Sequence, residues 1–191
     1  LSAFPSILTA TGALEPAIHV LVKKLHGKEP ALVWILMFLF SVGGTTYGMG
    51  EETVGFYILL AATMMAAGFD PLVGAATVLL GAGSGVLGST INPFATGAAV
   101  AAAGVEVNMG IVYVEAIILW LATYFISALF VTRYAKKVKE GKGSILTADQ
   151  LDECKKAYGS STEIDANVKL TGPQKGVLVV FGLSFVVMIL G

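Results

Sequence analysis

The segment Gly43-Gly-Thr-Thr-Tyr-Gly-Met-Gly-Glu-Glu-Thr53 interrupts a long apolar stretch and decides how the chain can fold. The apolar run before it, residues 31–42, covers roughly 18 Å as a helix, which is short of a ~30 Å hydrocarbon core. A second apolar run follows and returns to a turn near residue 70. Two short arms around a polar, glycine-rich tip predict a re-entrant helical hairpin over residues 31–68. Two ordinary spanning helices joined by an external loop are the alternative.

The composition predicts a membrane protein. Of the 191 residues, 55% are hydrophobic and 13% are charged, whereas soluble domains carry about 25% charged residues. All basic residues lie within 23–28 or 133–175, so residues 29–132 contain none. Because basic loops remain on the cytoplasmic side, both flanks of residues 29–132 are expected inside the cell. This composition excludes a soluble enzyme, a disordered tail and a nucleic-acid binder.

A second interruption, Gly88-Ser-Thr-Ile-Asn-Pro93, divides the apolar stretch 71–103. Asp70 before a proline and Asn92 before a proline are both typical of helix starts. We therefore predict that residues 71–103 form one membrane crossing built from two half-helices. Residues 111–132 are predicted to span the membrane again. The four glycines between positions 81 and 88 indicate close helix packing.

The remaining segments flank this transport-type region, residues 29–132. Residues 1–28 are predicted to hold the end of a truncated membrane helix and an amphipathic helix in the interface. Residues 133–172 are predicted to be a cytoplasmic linker with a capping box at Thr147 and Gln150. Residues 173–191 are predicted to begin a further membrane helix. We therefore expect the chain to be an internal piece of a longer transporter.

Both interruptions carry oxygen-bearing side chains at membrane depth. Irregular backbone persists there only if it is buried in protein or lines a wet cavity, and secondary transporters use such breaks to hold substrate and coupling ion. Oxygen ligands suit Na⁺ or H⁺ better than a soft metal. The candidate substrate- or ion-binding residues are Thr45, Thr46, Glu51, Glu52, Thr53, Ser89, Thr90, Asn92 and Thr96.

Several alternatives remain open for these residues. Glu51 and Glu52 are alternatively ordinary N-terminal helix charges in an aqueous loop, and the second interruption is alternatively a kink that only packs helices. Glu115, inside the last span, is either a buried polar contact or a proton site. A membrane enzyme with Glu51 or Glu52 as general base lacks a neighbouring nucleophile, metal set or activated histidine. A non-transporting membrane scaffold is a further alternative.

The sequence resembles the YfcC-type branch of the anaerobic C4-dicarboxylate carrier family, within the ion-transporter superfamily. The resemblance is carried by residues 43–53, by Leu79-Leu-Gly-Ala-Gly-Ser-Gly-Val-Leu-Gly-Ser-Thr-Ile-Asn-Pro-Phe-Ala-Thr-Gly97 and by Arg133-Tyr-Ala-Lys-Lys-Val-Lys139. It implies an all-α, polytopic membrane protein. It also implies that this piece is the first inverted repeat of an elevator-type secondary transporter, with a re-entrant helical hairpin and a broken transmembrane helix.

The same resemblance implies a function. The protein is expected to be a transporter, not an enzyme, that moves a small organic acid of the C4-dicarboxylate type across the bacterial cytoplasmic (inner) membrane. Coupling to Na⁺ or H⁺ is implied, with no other cofactor. Related carriers bind Na⁺ through a Ser-Asn-Thr motif at each break. The positions that correspond to it here are Thr45 and Thr46 at the first break, and Ser89 and Asn92 at the second.

The expected partners are a small-molecule substrate, the lipid bilayer and a second copy in a homodimer, with no nucleic acid. The substrate remains open between two classes. A dicarboxylate is usually bound by a positively charged group. Residues 29–132 contain no basic residue, however, and the hairpin tip contains Glu51 and Glu52. A transporter or antiporter of basic amino acids such as arginine or ornithine is therefore the alternative.

Overall fold

The computed structural model describes residues 20, 29–104, 106–158, 171–176, 179–180 and 183. In these ranges the chain forms helices and no strand, so the all-α prediction is confirmed there. The interfacial helix predicted within residues 1–28 and the membrane helix predicted within 173–191 lie largely outside the described residues. The elements are α1 Glu29–Tyr47, a 3₁₀ turn Glu51–Thr53, α2 Val54–Ala66, α3 Pro71–Gly88, a π-helical turn Pro93–Gly97, α4 Ala98–Ala103, α5 Met109–Lys139 and α6 Ala148–Tyr158.

Three helices are long and apolar enough to cross a membrane: Pro30–Tyr47 within α1, α3 and α5. The chain is therefore a membrane protein. In contrast, α2 has 13 residues and covers only about 20 Å. Two full spans before residue 70 would require α2 to cross the bilayer, for which 13 residues are short, whereas Pro30–Tyr47 in α1 is longer than the re-entrant arm predicted from the sequence. The alternative of two full spans therefore also stays open. The re-entrant hairpin itself stays a prediction.

Helix α3 is central, with α1 running parallel to it and α2 and α5 antiparallel. Glycines allow its neighbours to approach backbone to backbone. A Cβ atom on Gly85 would lie 2.0 Å from the carbonyl oxygen of Ser41, and one on Gly74 would lie 2.5 Å from that of Leu60. Close packing, predicted from the glycines between positions 81 and 88, is confirmed for three of them. Gly83 is the exception, because a Cβ atom there would meet nothing within 4 Å.

The first arm ends later than predicted. The apolar run was expected to end at residue 42, but α1 continues through the glycines to Tyr47. A Cβ atom on Gly44 would lie 2.3 Å from the carbonyl oxygen of Ala82, so contact with α3 favours a helical conformation where glycine propensity alone disfavours it. The helix ends at Gly48, which has φ +80° and donates its N–H to the carbonyl oxygen of Gly44 at 3.0 Å.

The aromatic residues of α1 and α5 hold these two helices together. The rings of Trp34 and Tyr124 meet edge to face with centroids 5.7 Å apart, and the Tyr124 hydroxyl donates to the Trp34 carbonyl oxygen at 3.1 Å. Phe38 stacks on Trp120 at 6.3 Å. Contacts of this kind stabilise by about 0.5–1.5 kcal/mol beyond the area they bury.

Asp70 organises the opposite end of the bundle. Its carboxylate accepts the N–H of Val73 at 3.0 Å, which confirms the predicted N-cap of α3. The same carboxylate accepts hydrogen bonds from the hydroxyls of Tyr134 and Ser144. The turn before α3, the end of α5 and the loop after α5 are therefore joined at one buried group.

Two predictions for the linker, residues 133–172, compare differently with the structure. Helix α5 continues beyond residue 132 to Lys139, so its last turns occupy the start of the predicted linker. The predicted capping box is confirmed: Thr147 donates its N–H to Gln150 Oε1 at 3.0 Å, and Gln150 donates its N–H to Thr147 Oγ1 at 3.3 Å.

Candidate substrate- and ion-binding site

The second break begins at Ser89, where α3 ends. Ser89 has φ +39°, a left-handed conformation that no other described non-glycine residue adopts. Asn92 then opens the next segment, because its side-chain Oδ1 accepts the N–H of Ala95 at 3.3 Å. Its backbone carbonyl oxygen accepts the N–H of Gly97 at 3.1 Å, which produces a π-helical turn. The predicted interruption and the predicted helix start are both confirmed.

The end of α1, which leads into the first break, meets the second break at a pair of threonines, Thr45 and Thr90. Thr90 donates its N–H to Thr45 Oγ1 at 3.1 Å, and the two hydroxyl oxygens are also 3.1 Å apart. The Thr90 hydroxyl donates in turn to the Thr45 carbonyl oxygen at 3.3 Å. Thr45 is 2% exposed and Thr90 is 9% exposed. The last turn of α1 and the second break thus share one buried polar contact between residues 45 positions apart in sequence.

Asn92 lies against the tip of the first break. A Cβ atom on Gly48 would lie 2.7 Å from Asn92 Nδ2, so only glycine permits this approach. The Asn92 amide also donates to Ser89 Oγ at 3.5 Å, and the residue is 2% exposed. The amide of the second break is therefore packed directly against the first.

The other candidate hydroxyls are bound within their own segments. Thr46 donates to the Val42 carbonyl oxygen at 2.7 Å, and Thr53 donates to that of Gly50. At the second break, the Ser89 hydroxyl donates to a carbonyl of the preceding turn, and Thr96 donates to the Ser89 carbonyl. A hydroxyl that donates its proton keeps oxygen lone pairs as acceptors, so these groups can still face a cation.

The acidic candidates have different positions. Glu51 is exposed at the start of the 3₁₀ turn, and the side chain of Glu52 lies outside what the structure describes. Glu115 is exposed on α5, so the interpretation as a contact buried within this bundle is wrong. Among the described residues there is no group of three or more His, Cys, Asp or Glu side chains suited to a metal ion.

The neighbouring helix α5 indicates the depth of the meeting point. A Cβ atom on Gly88 would lie 2.4 Å from the Trp120 Cβ atom, so the end of α3 is level with Trp120. Along α5 that residue is roughly 20 Å from Arg133 and roughly 16 Å from Met109. Both breaks therefore lie at a level that a ~30 Å hydrocarbon core covers.

Three participants were not singled out from the sequence. Gly44 and Gly48 bring the first break onto α3 and Asn92, and Trp120 packs against the end of α3. Gly44 and Gly48 could have been identified from the sequence, because they stand four residues apart, as do Gly81 and Gly85. This is the small-residue spacing of membrane helix contacts. No sequence feature distinguishes Trp120 from an ordinary apolar residue of a membrane-spanning helix.

Comparison with known proteins agrees with the resemblance found in the sequence. The chain matches the family described as C4-dicarboxylate anaerobic carrier over residues 1–191. It is 32% identical over 185 residues to an uncharacterized protein of Haemophilus influenzae, covering 97% of this chain and 36% of the relative. It is 33% identical over 134 residues to the Escherichia coli K12 protein named "Putative basic amino acid antiporter YfcC", covering 70% of this chain and 26% of that relative.

No solved structure matches the chain significantly. The chain spans about a third of the length of the curated relatives it matches. Since the family match extends over residues 1–191, and both interruptions lie within it, the resemblance found in the sequence is confirmed. The chain belongs to the C4-dicarboxylate anaerobic carrier family.

Proposed function

We propose that the protein containing this chain is a secondary active transporter, which moves a small organic acid of the C4-dicarboxylate type across the bacterial inner membrane, coupled to Na⁺ or H⁺. The contact between Thr45 and Thr90 carries this proposal. It joins the last turn of α1, which leads into the first interruption, to the second interruption, and paired interruptions are how secondary transporters build their binding sites. Family membership supports a carrier rather than an enzyme.

The meeting point offers groups for both an anion and a cation. The segment that begins at Asn92 directs the positive end of its backbone dipoles toward the break, which favours a carboxylate. The end of α3 at Gly88 presents carbonyl oxygens, which favour a cation. We propose Thr45, Thr46, Ser89 and Asn92 as Na⁺ ligands, since a hard cation takes oxygen donors.

The remaining candidates complete the proposed site. Thr90 fixes the geometry between the two breaks, Thr53 and Thr96 hold the backbone at each break, and Glu51 and Glu52 supply negative charge at the tip. We propose that this chain forms the first of two inverted repeats and that the rest of the protein supplies the second half of the site. The close glycine contacts between α1 and α3 support their movement as one rigid body in an elevator mechanism.

A basic amino acid is the second candidate substrate. Two observations favour it: residues 29–132 contain no Lys or Arg, while the tip contains Glu51 and Glu52. The E. coli relative carries the name of a basic amino acid antiporter. An acidic pair near the site would bind an ammonium or guanidinium group and repel a dicarboxylate.

We further propose that the protein works as a homodimer in the bilayer and needs no cofactor besides the coupling ion. Neither property is required for the site argued above. Size-exclusion chromatography with light scattering on the full-length protein would measure the oligomeric state. A monomeric mass after subtraction of detergent would contradict the dimer.

The test is transport by the full-length protein in proteoliposomes. Labelled succinate, fumarate, arginine and ornithine are supplied in turn, with an inward Na⁺ gradient, an inward H⁺ gradient or neither. We expect Thr45→Val and Thr90→Val each to lower uptake of the true substrate at least tenfold. Thr77→Val is the matched control, because the Thr77 hydroxyl is buried but donates to its own helix at the Val73 carbonyl.

The outcomes separate the alternatives. Equal losses in all three variants would show that buried hydroxyls matter only for folding and would contradict the site. Loss of arginine uptake in Glu52→Gln, with Thr77→Val unaffected, would identify the basic amino acid as substrate. Absence of uptake for every compound and every gradient, with folded protein present, would contradict transport of these classes.

A further inference from the structure

One face of α5 is exposed along nearly its whole length. At about 100° per residue, Glu115, Ile126 and Arg133 fall on one line along the helix, and Ile126 is 68% exposed. The residues beside this line are exposed too: Ile118, Leu119, Ala122, Leu129, Phe130, Lys136 and Lys137. The opposite side of α5 is buried against α1 and α3 through residues such as Tyr124 and Ala128. We call the exposed set, from Glu115 to Lys137, the outer face of α5.

The length of this outer face matches a bilayer. Glu115 is its first charged residue and Arg133 the next, and no charged residue lies between them in the sequence. Arg133 is eighteen positions after Glu115, which corresponds to roughly 27 Å along the helix, close to the ~30 Å thickness of a hydrocarbon core. A surface buried against protein has no physical reason to carry its charges at this spacing. The spacing is the one expected where lipid chains cover the helix.

The basic end of the outer face is compact. Arg133, Lys136 and Lys137 are all exposed, and their i, i+3, i+4 spacing puts them within one turn on the same side. Glu140, one turn further, is in an ion pair with Lys142, so its charge is balanced outside the cluster. These three cations therefore lie just beyond an apolar surface as long as the hydrocarbon core is thick. That is the depth at which phospholipid phosphates are expected.

We propose that the outer face of α5 is a lipid-facing surface, and that Arg133, Lys136 and Lys137 bind the headgroup of an anionic phospholipid in the cytoplasmic leaflet. Basic residues just cytoplasmic of a membrane helix attract anionic lipid headgroups. Here the apolar residues one to two turns earlier, such as Leu129 and Phe130, contact the acyl chains of the same lipid. This surface is distinct from the Thr45–Thr90 meeting point and does not depend on the transported substrate.

The first experiment measures lipid binding to the full-length protein, freed of native lipid, by native mass spectrometry with added phosphatidylglycerol or phosphatidylcholine. The unmodified protein is expected to retain phosphatidylglycerol in preference. The variant Arg133→Gln/Lys136→Gln/Lys137→Gln is expected to lose on the order of a hundredfold in affinity for it. The control Lys142→Gln/Lys155→Gln/Lys156→Gln removes the same charge elsewhere and is expected to change affinity less than threefold. Equal retention of both lipids by the unmodified protein, or equal loss in both variants, would overturn the headgroup site.

The second experiment asks what covers the apolar part. A nitroxide is attached at Ile126→Cys in a Cys154→Ser background of the full-length protein in vesicles. Strong relaxation by O₂ with weak relaxation by a water-soluble nickel chelate is expected for a lipid-facing site. Weak relaxation by both, as expected for the control Ala128→Cys, would mean that another part of the chain or a second copy covers this face. Strong relaxation by the nickel chelate would mean that it faces water, and either result overturns the proposal.

Discussion

The contact between α1 and α3 is the packing feature most open to a quantitative test, through Gly85→Ala. The new Cβ atom would lie 2.0 Å from the Ser41 carbonyl oxygen and 2.7 Å from the Thr45 nitrogen. Both neighbours are backbone atoms of a helix, so neither can rotate away. To restore an ordinary contact the two helices must separate locally by about 1.4 Å, and overpacking of this kind typically costs about 1–3 kcal/mol and sometimes more.

Gly83→Ala is a matched control on the same helix. A Cβ atom at Gly83 meets nothing within 4 Å, and replacing glycine by alanine inside a helix stabilises by roughly 0.5–1 kcal/mol. We therefore expect the two substitutions to have opposite signs. Gly85→Ala should lower the melting temperature of the full-length protein in detergent by several degrees, while Gly83→Ala should leave it unchanged or raise it.

Transport provides a second measurement on the same pair. Because the Gly85 contact includes the nitrogen of Thr45, separating the helices also displaces Thr45 from Thr90. We expect Gly85→Ala to lower uptake in proteoliposomes at least tenfold even at temperatures where the variant is folded. The reasoning is refuted if Gly85→Ala and Gly83→Ala have the same melting temperature and the same uptake.

Three further predictions concern other parts of the molecule. Gly48→Ala and Gly68→Ala both place a side chain at positive φ, and each should lower the free energy of unfolding by about 1–2 kcal/mol. Only Gly48→Ala should abolish uptake, because only its Cβ atom would strike Asn92. Equal uptake in both variants would exclude a role for that contact. Asp70→Asn should destabilise the protein by about 1–3 kcal/mol, because the carboxylate caps α3 and accepts hydrogen bonds from two hydroxyls. The measurement is a lower melting temperature, and an unchanged value would contradict the organising role of Asp70. The hydrogen bond from Lys142 lowers the pKa of Glu140, so the contribution of this carboxylate to stability is present above the ordinary carboxyl pKa and is lost as pH falls through the lowered value. Since both side chains are exposed, Glu140→Gln should leave the melting temperature at pH 7 unchanged. A large decrease would show that the ion pair is shielded from water.

Much of the membrane architecture could be predicted from the sequence. Continuous apolar runs and the absence of basic residues from 29–132 are local properties, and they determine which segments enter the bilayer. The second break was equally predictable, since Asn92 and Pro93 act on their own backbone. Asp70 was predictable as an N-cap for the same reason, and its bond to Val73 spans only three residues.

The end of α1 was not predictable from local preference. Glycine is a poor helix former, so Gly43 and Gly44 suggested an early end. Contact with α3 reversed that preference, because at Gly44 only glycine allows the two backbones to touch. Tertiary packing thus moved the helix end to Gly48.

The candidate site shows the same division. Sequence alone predicted two polar interruptions at membrane depth, because each is visible as a gap in an apolar run. Which residues of the two gaps meet depends on how α1 and α3 cross, and only the tertiary structure decided that Thr45 contacts Thr90 while Thr46 bonds to its own helix. Adjacent helical residues point about 100° apart, so a shift of one residue in the crossing would have exchanged their roles.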